Sequence, residues 1–213
     1  MRAPSTAERT IGDWLEILAS DAPTPGGGGA SALLAATGAG LLAMVGRLTL
    51  GRNRFADVED RMRSLLDAAD RARAEFLRLA DRDAEAFDRV MTAYRLPRDQ
   101  GDARDLAIQQ ALGEAASVPL ELAQRAAQTL ALAEDATALG NPQAASDGYC
   151  AAVALHGAVL GALANVRINA VALRDEDRRR ELLLAIEEVR ERADRLLESA
   201  SAAFDRRLGP SGP

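Results

Sequence analysis

Ala32, Ala36, Ala39, Ala43 and Gly46 recur at alternating spacings of four and three within a long apolar stretch. That repeat marks one face of an α-helix, and side chains this small let a second helix approach closely. Nowhere does the chain show a period-two run of β-branched residues. With 48% hydrophobic but only 3% aromatic residues, the core has to be built from Ala, Leu, Val and Ile. The expected fold is all-α, a bundle of about six or seven helices of which two or three are long.

Periodicity and break residues place the helices. Thr10 caps a short one from Ile11 to Ser20, and a second runs from Gly29 to Leu50. A long helix spans Ala56 to Tyr94, with Leu96-Pro97 ending it. Asp102 to Ser117 and Leu120 to Leu139 read as two helices separated at Pro119, and Gly140-Asn141-Pro142 is a clear break. Ala144 to Leu173 and Asp175 to Arg207 complete the set, giving one domain over residues 1–208 and a disordered tail over 209–213.

A net charge of −6 with no basic stripe argues against a nucleic-acid surface. A single cysteine, Cys150, and a single histidine, His156, leave no Cys/His metal cluster, and no calcium-loop spacing occurs, so no metal is expected. The first ten residues hold no hydrophobic signal segment, which predicts a cytoplasmic chain. The apolar stretch from Ala30 to Val45 is shorter than the ~20 residues of a membrane span, so a buried core helix is expected and no membrane.

Pro23, Pro25 and the glycines Gly26, Gly27, Gly28 and Gly29 lead into the second helix. Without Cβ atoms this backbone can lie directly against a ligand, and a helix start offers unpaired amides to a carboxylate, a phosphate or a flat polar ring. The alternative is a flexible loop. No Gly-Lys-Ser/Thr follows and no β-rich stretch precedes, which excludes a P-loop and a dinucleotide fingerprint. Arg47, Arg52 and Arg54 form a compact basic cluster after this helix, either a solvated helix end or a site for ligand carboxylates.

Two carboxylates stand out. Steps of three and four along the long helix pass through Phe76, Ala80, Asp83, Phe87, Val90 and Tyr94, which sets Asp83 on the apolar stripe. There it either pairs with or caps a neighbour or serves as a site carboxylate. Ser146 and Asp147 follow the break at Pro142, as an N-cap pair or as site residues, and Asn165 and Asn169 end the same small-residue face. His156 lies nine residues after Asp147, and steps of about 100° put it on the opposite side of the helix. His156 is therefore read as structural, and Cys150 as a small core residue.

Taken in order, A-P-T-P-G-G-G-G-A, L-T-L-G-R-N-R-F, D-A-E-A-F-D-R-V-M-T-A-Y-R-L-P and G-N…S-D-G resemble the cyclodeaminase/cyclohydrolase family of folate one-carbon enzymes. The resemblance runs from about Thr10 to Leu208. It implies an all-helical homodimer that binds a tetrahydrofolate derivative between helices near the subunit contact, with no cofactor beyond that substrate. The glycine loop and the segment ending in Leu96-Pro97 are most similar to the stand-alone methenyltetrahydrofolate cyclohydrolases. The family's three lysines and tyrosine are replaced by Arg52, Asn53, Arg54 and Phe55, which keeps much of the charge and loses the hydroxyl.

In such an enzyme Asp83 and Asp147 would stabilise the cationic carbon and accept a proton from water. Phe87 and Tyr94 would pack on the pterin, Pro25 to Gly29 and Ser146 would contact substrate, and Arg47, Arg52 and Arg54 would hold the tail carboxylates. The alternatives are a formimidoyltetrahydrofolate cyclodeaminase releasing ammonia and, in another class, a non-catalytic folate-binding or scaffold dimer.

Overall fold

The computed structural model describes residues 4–209, and in them the backbone forms seven α-helices and no strand. These are α1 Ile11–Leu18, α2 Gly27–Thr49, α3 Glu59–Arg95, α4 Gly101–Leu130, α5 Ala133–Leu139, α6 Ala145–Val171 and α7 Glu176–Leu208. Beyond Gly209 the expected tail falls outside the described residues. Thr10 caps α1 as its position predicts, its hydroxyl accepting from the Asp13 amide at 3.1 Å.

The small-residue stripe of α2 sets the architecture. Ala32, Ala36, Ala39 and Ala43 are buried, and α2 packs most extensively on α3 and α6. Both neighbours run antiparallel to it. Gly46 lies against Leu66 and Gly28 against Asp83 on α3, while Gly27 lies near Asn165 and Gly38 against Leu155 on α6. At Gly38 a Cβ would come within 2.7 Å of Leu155 Cγ and 3.0 Å of the Ala151 carbonyl oxygen. Gly38→Ala is therefore expected to destabilise the fold by about 1–3 kcal/mol through overpacking, read as a lower urea midpoint at unchanged slope.

Two expectations about helices change. Residues Gly27 to Gly29 are the first turn of α2, with Gly26 as N-cap, so most of the glycine run is helix instead of loop. The expected break at Pro119 is absent, and α4 continues through it. A proline there removes the amide that would bond the carbonyl four residues back. That carbonyl, on Ala115, accepts instead from Asn169 Nδ2 of α6 at 3.0 Å. A side chain from another helix supplies the missing donor, so the bundle tolerates the proline.

His156 bridges α6 to α7, its Nε2 2.7 Å from Asp194 Oδ1. Cys150 is exposed, because it sits on the outer side of α6 and not on the face that carries Ala151 and Ala152 into the core. Among the described residues two stretches, Gly27–Thr49 and Pro142–Val171, are apolar and long enough to cross a membrane by length and composition, and much of each is buried within the bundle.

Candidate functional site

Asp83 reaches its place because α3 presents it directly to the start of α2. A methyl group on Gly28 would overlap both Asp83 carboxylate oxygens, so only a glycine lets the carboxylate lie against this turn. The Gly29 amide donates to Asp83. Behind it, a Cβ on Gly29 would meet Pro25 Cβ at 3.2 Å and Trp14 at 3.9 Å, so Pro25 and Trp14 buttress the turn from the far side. Gly27 and Gly28 come before the first intrahelical bond of α2, which joins the Ala30 amide to the Gly26 carbonyl at 2.9 Å. Their amides have no helical partner and are available to a ligand.

The space in front of Asp83 is a cavity of about 240 Å³. Pro23, Thr24 and the glycines Gly26 to Gly28 form one wall, and Asp83, Ala86, Phe87 and Val90 of α3 form the second. Ala115 of α4 with Asn165 and Asn169 of α6 close the third. Asn169 spends its amide on the Ala115 and Asn165 carbonyls, at 3.0 and 3.1 Å, and Asn165 donates to the Gly161 carbonyl at 2.9 Å. Their side-chain oxygens remain as acceptors. The cavity thus combines one carboxylate, backbone donors, amide acceptors and the half-buried ring of Phe87.

Burial pushes the Asp83 carboxyl above its ordinary range, and the Gly29 amide draws it part of the way back. A carboxyl so placed holds its proton to higher pH than an exposed one and is better matched to proton transfer near neutrality. The linkage has a definite sign. Because the folded value exceeds the unfolded one, the stabilising contribution is complete below the ordinary value and is lost as pH rises through the raised one. Wild-type Tm is therefore expected to fall relative to that of Asp83→Asn as pH rises from about 4 to 8. Thermal unfolding of both proteins across that range checks this.

The other expected site residues lie elsewhere within one chain. Tyr94 is 46% exposed and does not line the cavity. It is eleven residues beyond Asp83, so it stands about 16 Å past the start of α2. Ser146 and Asp147 open α6, eighteen residues from Asn165 in the case of Asp147, which is about 27 Å along the helix. Neither acts as a side-chain cap of α6.

Arg47 pairs with Asp70 at 2.6 Å, and Arg54 donates to Asn141 Oδ1 at 3.3 Å and stacks over Phe55. Arg52 is exposed beside them. Asp83 and the glycines thus gather at one end of α2, and the arginines and Asp147 at the other. In the sequence Asn165 and Asn169 are legible only as the polar end of a small-residue face, since nothing in their spacing marks a cavity. Among the described residues no three His, Cys, Asp or Glu side chains converge on a point where an ion would sit.

The sequence pattern of the family described as Formiminotransferase-cyclodeaminase matches residues 10–188. A methenyltetrahydrofolate cyclohydrolase from Methylorubrum extorquens is 38% identical over 180 residues, 81% of this chain and 86% of that protein. A formimidoyltransferase-cyclodeaminase from Rattus norvegicus is 38% identical over 155 residues, and the match spans only 29% of that longer protein. The crystal structure of formiminotetrahydrofolate cyclodeaminase from Thermotoga maritima superposes with a TM-score of 0.88 at 28% identity, covering 96% of this chain and 100% of that one. On this agreement of sequence and fold, the chain belongs to the formiminotransferase-cyclodeaminase family.

Proposed function

We propose that the protein is an enzyme that hydrolyses 5,10-methenyltetrahydrofolate to 10-formyltetrahydrofolate. The observation that carries this reading is Asp83, a carboxylate with a raised pKa facing a cavity of about 240 Å³ beside a helix start. The match to a stand-alone cyclohydrolase across 86% of its length supports the choice of reaction.

The substrate carries a cationic amidinium carbon between N5 and N10. Ionised Asp83 stabilises that cation, and the carboxylate accepts a proton as water adds to the carbon. Breaking the C–N5 bond then returns the proton from Asp83 to N5. The hydroxyl proton of the adduct leaves to solvent, so one proton is released overall and the formyl group stays on N10. The Asn165 and Asn169 oxygens suit the amino and N–H edge of a pterin, the Gly27 and Gly28 amides suit its carbonyl oxygen, and Phe87 packs on its face.

No cofactor beyond the tetrahydrofolate substrate enters this reading. It includes a homodimer, a cytoplasmic location, and no role for nucleic acid or membrane, the apolar helices α2 and α6 serving the core and the subunit contact. The runner-up reaction is closure of formimidoyltetrahydrofolate with release of ammonia, favoured by the fold match to the Thermotoga maritima cyclodeaminase. Assaying both substrates side by side separates them. Loss of methenyl absorbance without ammonia release from the formimidoyl compound is the expected result, and the reverse pattern would assign the cyclodeaminase.

A further inference from the structure

Pro119 is buried in the middle of α4, where it has no amide to give the carbonyl one turn back, that of Ala115. Its ring also crowds that carbonyl. Ala115 lines the Asp83 cavity, and so does Asn169, which faces it from α6. The Asn169 side chain donates to the Ala115 carbonyl at 3.0 Å and to the Asn165 carbonyl, one turn back on its own helix, at 3.1 Å. A primary amide has two N–H donors and one acceptor oxygen, so both donors of this side chain are spent inside the protein. Turning the amide over would set its oxygen against two carbonyl oxygens and give up both bonds.

Asn165 is different. Among the described residues its amide makes one bond, to the Gly161 carbonyl at 2.9 Å, which leaves it a donor as well as an acceptor. It can present either to a ligand, whereas Asn169 can present only its oxygen.

We propose that Pro119 is a positioning residue for the substrate site. By denying Ala115 a helical donor it opens an acceptor on α4 that holds the Asn169 amide, and this fixes the Asn169 oxygen as the acceptor offered to the cavity. A flat ring is then admitted with an N–H or amino edge against Asn169. A carbonyl edge there would meet oxygen with oxygen and is turned instead toward the unpaired amides of Gly27 and Gly28 on the α2 wall. One side chain thereby sets which way round such a ring lies in front of Asp83. With any other residue at 119, its amide would close the α4 bond to Ala115, and Asn169 would lose an exclusive partner and be free to turn. The identity of the ring rests on the folate reading, and the fixed amide does not.

Two measurements keep these parts separate. Pro119→Ala restores the backbone amide, and Pro119→Val does so with a side chain closer to proline in size. Asn53, Asn141, Asn165 and Asn169 are the chain's asparagines, so protein labelled with ¹⁵N at asparagine gives few side-chain amide signals, and Asn169→Ala identifies the pair that belongs to Asn169. In ligand-free wild type both protons of that pair are expected to exchange slowly with water. In each Pro119 variant the pair is expected to exchange about tenfold faster, the worth of one hydrogen bond. Fast exchange in the wild type, or unchanged exchange in both variants, would overturn the proposal whatever the activity.

With methenyltetrahydrofolate each Pro119 variant is expected to raise KM by about three- to tenfold, again one neutral hydrogen bond, with kcat held within about twofold. Asn169→Ala should raise KM by a similar factor. Pro119→Ala added to it should raise KM no further, because the proline acts through that amide. Increases that multiply in the double variant would show the proline acting on packing alone and would overturn the positioning role. Faster exchange with unchanged KM would overturn it as well, since the Asn169 oxygen would then take no part in binding. Wild-type protein without turnover on either folate would remove the folate ring from the reading, and the exchange measurement would still decide whether Pro119 holds the amide.

Discussion

Asp83→Asn is expected to lower kcat for methenyltetrahydrofolate hydrolysis by about 10²–10⁴-fold, the usual contribution of a positioned general base. The replacement is nearly isosteric, and its side-chain oxygen can still accept from the Gly29 amide, so the packing of α3 on α2 should survive. Two things are lost together: the proton acceptor, and the negative charge facing the cationic carbon. KM should rise as well, because the charge also helps bind the ground state. Tm at neutral pH should be no lower than that of wild type, since the variant removes a carboxylate whose ionised form is disfavoured by burial. Lost turnover with kept or raised stability separates a site carboxylate from a structural one. Steady-state kinetics and thermal unfolding on the same preparation read both.

Gly28→Ala is the second large effect, expected to cost about 100-fold in kcat, the scale of misplacing a catalytic group by about an ångström. The backbone at Gly28 is ordinary helix, so alanine meets no conformational penalty there and gains about 0.5–1 kcal/mol of helix propensity. The whole cost comes from overlap between the new methyl and both Asp83 oxygens. Asp83 has to rotate away, giving up the Gly29 amide and its place in the cavity.

Gly113→Ala provides the contrast. It lies within α4, and a Cβ there meets nothing within 4 Å, so this variant should keep full activity and gain up to about 1 kcal/mol. Kinetics and urea unfolding of the two alanine variants side by side check the prediction. Equal activity of both would show that Gly28 is not holding space for the carboxylate.

The helical class was legible because a period of three and four is a local property, as Ala32 to Gly46 show. The misfit of Asp83 was legible for the same reason, since a carboxylate on an apolar stripe needs no partner to be recognised. What sequence could not convey was distance along the bundle. Asp147 and Arg54 looked like companions of Asp83, yet antiparallel packing of α2 on α3 and α6 sets them at opposite ends of one chain. Pro119 misled because the donor that rescues the Ala115 carbonyl, Asn169, is a tertiary contact from α6. Tyr94 misled because a helical stripe does not stop where the neighbouring helix does.

The most direct test is the pH dependence of enzyme-catalysed loss of methenyltetrahydrofolate absorbance, with the spontaneous rate subtracted, for wild type and Asp83→Asn. The wild-type rate is expected to rise through one ionisation above the ordinary carboxylate range and then level, and the variant to lack this step. A variant retaining the wild-type rate and profile would contradict Asp83 as the base, and a wild-type rate no faster than the spontaneous one would contradict the reaction itself.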